Sequence, residues 1–155
     1  MYYFFGNCLT HRVFRKFARP CVNWIDVVHE VNQVSVVDSD GISLFGFGGI
    51  LHQTPNITRK PELQHMFNML NSRYPLTAHV YYSMSRLSGS VNHCDVMNVL
   101  FWQQYGLTLW HIEKSKYVLW PGDALYIPRG VYHRVISVTP RIGISIGDDG
   151  TKTTV

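Results

Sequence analysis

The chain has 155 residues, of which 46% are hydrophobic and 15% charged, with a formal net charge of +4. That length admits one domain with a real core, and that composition excludes a disordered polymer. No apolar run is long enough to span a bilayer, and Met1 to Gly6 lacks the basic start and apolar stretch of a secretion signal, so a soluble, cytoplasmic protein with no membrane partner is expected.

Three cysteines, Cys8, Cys21 and Cys94, are odd in number and lack a CxxC pair, which points to reduced thiols rather than a disulfide framework or structural zinc. The positive charge is local. Residues 1–25 hold Arg12, Arg15, Lys16 and Arg19 and no acidic residue, while the rest of the chain balances ten against ten. Such a segment suits an acidic partner, such as nucleic acid or a ribosomal surface. The plainer reading is a solvated stretch with Phe14 and Phe17 tucked into the body.

Asn23 before Trp24-Ile-Asp-Val-Val-His-Glu-Val-Asn reads as an N-capped short helix with Asp26 in its first turn. Pro61, Glu62 and the apolar residues Leu63, Met66, Phe67 and Leu70 at 3/4 spacing predict a second helix over roughly residues 61 to 72. Gly41 to Leu51 fits a hairpin. After Pro75 the pattern changes to short β-type runs: 77–85, 96–104, 108–112, 124–128, 131–138 and 142–146. Gly89-Ser90, Tyr105-Gly106, Pro121-Gly122-Asp123, Arg129-Gly130 and Thr139-Pro140 break them at spacings suited to a barrel or sandwich. The expected organisation is a single domain over 1–155, with 1–75 packing against a barrel core at 76–148.

His93 and Asp95 lie two apart, so on an extended strand both side chains project from one face and can share a metal. His133 follows at the start of another β-run. Two histidines and one carboxylate form the facial set that leaves positions open on non-haem Fe(II). An isolated HxD pair is weak evidence; the text around it is stronger. The blocks GSVNHCDVMNVLFWQQYG from Gly89 and LWPGDALYIPRGVYH ending at His133 resemble the Jumonji C and related cupin-like Fe(II)/2-oxoglutarate oxygenases, in particular the ribosomal-protein hydroxylases and their short relatives. The resemblance covers residues 78 to 147, nearly half the chain.

What it implies is a mainly β fold, a double-stranded β-helix (cupin or jelly-roll barrel) with two or more buttressing N-terminal helices. It further implies Fe(II) on His93, Asp95 and His133, O2 and 2-oxoglutarate as cosubstrates, succinate as coproduct, and hydroxylation of a protein side chain, with a ribosomal protein as the candidate substrate. Many relatives place a Lys or Arg two residues after the glycine that ends the HxD strand, whereas this chain has Thr108 there. A dicarboxylate then lacks its usual charge partner.

Arg141 is the best substitute. It opens Arg141-Ile-Gly-Ile-Ser-Ile-Gly, whose alternation puts Arg141, Gly143 and Ser145 on one face and Ile142, Ile144 and Ile146 on the other. If the first face lines the barrel, Gly143 makes room and Arg141 forks onto the distal carboxylate; the opposite orientation leaves Arg141 in solvent. Ser90, Thr108 and Tyr82 are lesser candidates for hydroxyl contacts. Phe101, Trp102, Trp110, Trp120, Tyr126 and Tyr132 supply candidate aromatic lining, some of it plain core. Cys94, between two inward ligands, is expected to point outward, and the other six histidines have no ligand spacing.

Two further readings stay open. One is a metal-dependent cupin acting on a small molecule as a dioxygenase or isomerase without 2-oxoglutarate, which Thr108 keeps alive. The other is a non-catalytic barrel serving as a binding module, against which the intact histidine and aspartate set counts.

Overall fold

A computed structural model of the chain describes residues 9–33, 42–45, 48–52, 54–70, 72, 74–87 and 89–148. Its elements run β1 (Arg12–Phe14), α1 (Trp24–Gln33), β2 (Ile42–Phe45), β3 (Gly48–Leu51), α2 (Pro55–Thr58), α3 (Pro61–Leu70), β4 (Leu76–Ser83), β5 (Asn98–Tyr105), β6 (Thr108–Ile112), β7 (Ser115–Leu119), β8 (Ala124–Ile127), β9 (His133–Ser137) and β10 (Arg141–Asp148). The fold is mainly β, as expected, and the helices are few.

Both expected helices form for the expected reasons. Asn23 Oδ1 accepts the Ile25 and Asp26 amides at 2.8 and 3.2 Å, while Asp26 Oδ2 accepts the Asn23 amide at 2.9 Å, a reciprocal cap. Pro61 opens α3, which buries Leu63, Met66 and Leu70. Two strands were not foreseen. β1 is a three-residue edge strand in the basic segment, and β7 mixes Lys116 with exposed Val118 and reads as loop. The expected hairpin is present as β2 and β3; Gly41 and residues 46–47 lie outside the described residues.

The strands form two sheets, one ordered β1-β8-β5-β10-β4-β3-β2 and the other β7-β6-β9. β10 is the central member of the larger sheet, paired antiparallel with β4 and β5. Its isoleucines settle the orientation. Ile142, Ile144 and Ile146 are fully buried in one core cluster with Val27, Leu63, Met66 and Leu70, so this face lies under the helices. The opposite face belongs to a second core between the sheets, built on Phe101, Trp110, Leu125, Ile127 and Val135. With both of its faces covered, β10 is buried almost throughout, Arg141 and Asp148 included. Among the described residues no helix is long and apolar enough to cross a membrane.

Candidate metal centre and cavity

His93 and His133 meet as an isolated antiparallel bridge between the segment after Gly89 and the start of β9. His93 Nε2 lies 3.8 Å from Asp95 Oδ1, and His133 Nε2 lies 3.5 Å from Asp95 Oδ2. The three ligand atoms all fall within 4.8 Å of one another. Donors about 2.1 Å from one ion stand at most about 4.2 Å apart, so the set fits a single metal with small adjustment.

The ring nitrogens on the far side support that fit. His93 Nδ1 is 2.9 Å from the Val91 carbonyl and His133 Nδ1 is 3.0 Å from the Val131 carbonyl. Each Nδ1–H therefore donates to the main chain and leaves Nε2 as the acceptor aimed at Asp95, the outer arrangement that metal-bound histidines show. Burial draws the His133 imidazole below its ordinary range, against the Val131 carbonyl and Asp95, which raise it. The neutral, ligating form is thereby favoured.

Gly130 completes the frame. At φ 77° it takes a conformation that favours glycine, and its amide donates to the Asp95 carbonyl at 2.8 Å. The turn that ends β8 thus also fixes the backbone of Asp95, the candidate carboxylate ligand.

These three side chains open onto a cavity of about 420 Å³ between the sheets. Arg141, Ser145 and Ser90 line it, together with Tyr81, Phe101, Trp110, Val135 and Val91. Gly143 lies between Arg141 and Ser145 on the same face, where an added Cβ would stand 2.1 Å from Phe101 Cζ, so the ring rests on the glycine backbone. Arg141 is 6% exposed. Its Nε donates to Ser137 Oγ at 2.7 Å, whereas its Nη1 is buried with no hydrogen-bond partner. Burial pulls the guanidinium down to about 10, still cationic at neutral pH, and the Tyr81 hydroxyl partly offsets the loss.

Not every candidate reaches the cavity. Thr108 is fully buried; its hydroxyl donates to Gln103 Oε1 at 2.9 Å and accepts the Trp110 indole N–H at 3.0 Å, and it does not line the cavity. Tyr82 borders the cavity, yet it pairs with Ile142 and its ring packs with the helix-side core. Its neighbour Tyr81, opposite Gly143, carries the inward ring. Tyr81 escaped the sequence reading although the alternation of Ala78, Val80 and Tyr82 on the apolar face leaves His79 and Tyr81 inward. Burial raises the Tyr81 phenol, Asp95 raises it further and Arg141 opposes, which keeps it a protonated donor between Asp95 and Arg141.

Ser90 Oγ accepts the Val135 amide at 3.2 Å. Of the aromatic candidates, Phe101 and Trp110 line the cavity, Trp102 and Tyr126 belong to the helix-side core, and Trp120 and Tyr132 are exposed. Cys94 is exposed, as expected from its flanking ligands.

Barrel, bridge and side-chain cluster together define a cupin-type β-barrel fold with a candidate metal centre. A family model described as JmjC domain matches residues 114–154. The solved structures with similar folds include the ribosomal oxygenase YcfD of Escherichia coli, with a TM-score of 0.71 and 17% identity over 92% of this chain and 48% of that one. YcfD in complex with cobalt and 2-oxoglutarate aligns with a TM-score of 0.70 and 16% identity over 93% and 49%. KdgF from Halomonas sp. aligns with a TM-score of 0.51 and 15% identity over 68% and 83%. The chain thus spans about half the length of YcfD. No curated protein matches the sequence.

Proposed function

We propose that the chain is an Fe(II)- and 2-oxoglutarate-dependent oxygenase that hydroxylates a protein side chain and converts 2-oxoglutarate to succinate. The observation that carries this reading is Arg141. A buried guanidinium with an unpaired Nη1 is costly, and here it faces the cavity that the His93, Asp95 and His133 cluster also faces, so a dicarboxylate bound between them relieves it. His93 Nε2, the Asp95 carboxylate and His133 Nε2 would hold the iron, which when bound supplies the oxygen chemistry. Arg141 binds the distal carboxylate, the Tyr81 hydroxyl and Ser145 orient the chain of the oxoacid, and Phe101, Trp110 and Val135 exclude water from the interior. A protein substrate, with a ribosomal protein as first candidate, draws on the likeness to YcfD.

Succinate release from 2-oxoglutarate with Fe(II) and ascorbate tests the proposal. Wild type should turn over, His93→Ala should not, and Arg141→Ala should do so only at raised 2-oxoglutarate. In a structure with N-oxalylglycine, a distal carboxylate beyond hydrogen-bonding distance of Arg141 would sink the cosubstrate assignment.

One observation favours a second reading, direct metal chemistry on a small molecule. Thr108 stands where relatives carry a cation, and its hydroxyl is engaged within the core. Metal-dependent conversion of a small molecule with no succinate formed would support it.

A further inference from the structure

The basic segment that the cavity leaves unused is built into a defined surface at the opposite end of the barrel. β8 pairs Phe14 with Ala124 at that end, and its other end leads to the Gly130 turn that holds Asp95. Beyond Phe14, the Asp123 carboxylate ties two turns together. It accepts the Lys16 amide at 3.0 Å, the Trp120 amide at 3.1 Å and the Arg15 guanidinium. The Ala18 amide adds a bond to the Gly122 carbonyl at 3.3 Å. The indole of Trp120 is nevertheless 58% exposed, although the turn that carries it is pinned to the core.

Arg15, Lys16 and Arg19 are all exposed around this junction. Tyr105, 48% exposed and edge-on to Trp24, lies at the same end of the sheet, because Gln103 bonds both to the Asp123 turn and to the Tyr105 carbonyl. The carboxylate at the centre is buried and neutralised by Arg15, while Asp26 and Glu62 lie toward Cys21, Asp26 paired with Lys60 at 2.9 Å.

We infer that this end of the barrel binds a single-stranded polynucleotide, with Lys16 and Arg19 on phosphates and Trp120 as a stacking platform. Cations interleaved with exposed aromatic rings on a fixed backbone are what unpaired nucleotides require: the charges follow the backbone, and the rings accept any base. A duplex hides its base faces and gains nothing from Trp120. The inference stands on this surface alone and holds whichever reaction the cavity performs.

The test uses the whole chain with fluorescein-labelled 20-nucleotide oligouridylate and oligothymidylate, a duplex of equal length, and heparin. Both single strands should bind and quench tryptophan fluorescence, their relative affinities telling RNA from DNA. Lys16→Glu with Arg19→Glu should weaken binding at least roughly tenfold and flatten the dependence of log affinity on log salt by about 1.4, two phosphate contacts at roughly 0.7 each. Trp120→Ala should weaken it by about fivefold or more and remove the quenching. All the changed side chains are exposed, and an unchanged circular dichroism spectrum and melting temperature confirm the fold. His93→Ala should bind like wild type. No binding at low salt would overturn the inference, as would equal affinity for duplex and heparin with no effect of Trp120→Ala, which marks general polyanion attraction.

Discussion

His93 and His133 exchange backbone hydrogen bonds in both directions, His93 N to His133 O at 3.0 Å and His133 N to His93 O at 2.8 Å. The two imidazoles are therefore held by the main chain on one side and by their Nδ1 contacts on the other, before any ion arrives. Preorganisation of this kind makes each ligand hard to replace. Asp95→Ala or His133→Ala should cost more in affinity for Fe(II) or a Co(II) substitute, measured by titration calorimetry, than the roughly 10- to 100-fold that outer partners cost. Because burial lowers the His133 imidazole from its usual 6.5, wild-type affinity should stay flat from neutral pH upward and fall only as acid protonates His133. Retained binding in either variant would move the metal elsewhere.

Arg141 makes binding and folding separable. Replacing it with Met removes a buried cation whose Nη1 has no partner, an exchange that is often neutral or stabilising. Arg141→Met should therefore melt no lower than wild type without ligands. It should also raise the 2-oxoglutarate concentration for half-maximal succinate formation by roughly 10- to 100-fold, the worth of hydrogen bonds to a charged group. A variant that melts much lower would show instead that the bond to Ser137 is structural.

Adjacent tyrosines provide a paired control. Tyr81 faces the cavity between Asp95 and Arg141, whereas the ring of Tyr82 packs with the helix-side core. Tyr81→Phe should raise the half-saturating 2-oxoglutarate concentration by about 5- to 10-fold, the worth of one hydrogen bond, and Tyr82→Phe should leave it unchanged. Equal effects would remove the distinction between the two faces of β4.

The contrast between Tyr81 and Tyr82 also shows what the sequence disclosed. Hydrophobic alternation was readable along β10, where isoleucines mark the helix-side face and Arg141, Gly143 and Ser145 fall opposite. The turn residues Pro121-Gly122 and Arg129-Gly130 were readable because their conformations demand those residue types. β4 was harder, since His79, Tyr81 and Tyr82 are all amphipathic and only the small apolar Ala78 and Val80 fix its phase. Thr108 attracted attention by position in the motif, yet its hydroxyl turned inward to Gln103 and Trp110, a tertiary arrangement that spacing does not encode. β1 and β7 stayed hidden because short edge strands, each carrying one charged residue, lack the periodic signal on which strand assignment rests.

Gly143 sets how close Phe101 lies to β10. Three ring atoms of Phe101 would fall within 2.9 Å of an added Cβ, and the ring is confined by Trp110 at 4.7 Å and Tyr81 at 6.4 Å between centroids. The ring has to shift toward the cavity to admit a methyl. Gly143→Ala should lower stability by about 1–3 kcal/mol, as overpacking does. It should also raise the half-saturating 2-oxoglutarate concentration while metal affinity holds. Thermal unfolding with a parallel metal titration checks both, and an unperturbed variant would mean that the core yields freely at this point.

Asp123 predicts a pH dependence far from the cavity. Burial alone would raise its carboxyl, but the Lys16 and Trp120 amides and the Arg15 guanidinium outweigh it and hold the group below its ordinary 3.8. A carboxylate with a depressed folded value contributes stability that is fully present above the unfolded value near 3.8 and is lost as the pH falls through the lower folded one. At neutral pH Asp123→Asn should cost about 1–3 kcal/mol, mostly from the one amide bond that the new side-chain NH2 cannot accept, since the Arg15 side chain is 54% exposed and its ion pair is screened. Urea unfolding at pH 7 and at steps below 4 should show the gap between wild type and variant closing in acid. A gap that stays constant through that range would mean that Asp123 holds its two turns by shape rather than by charge.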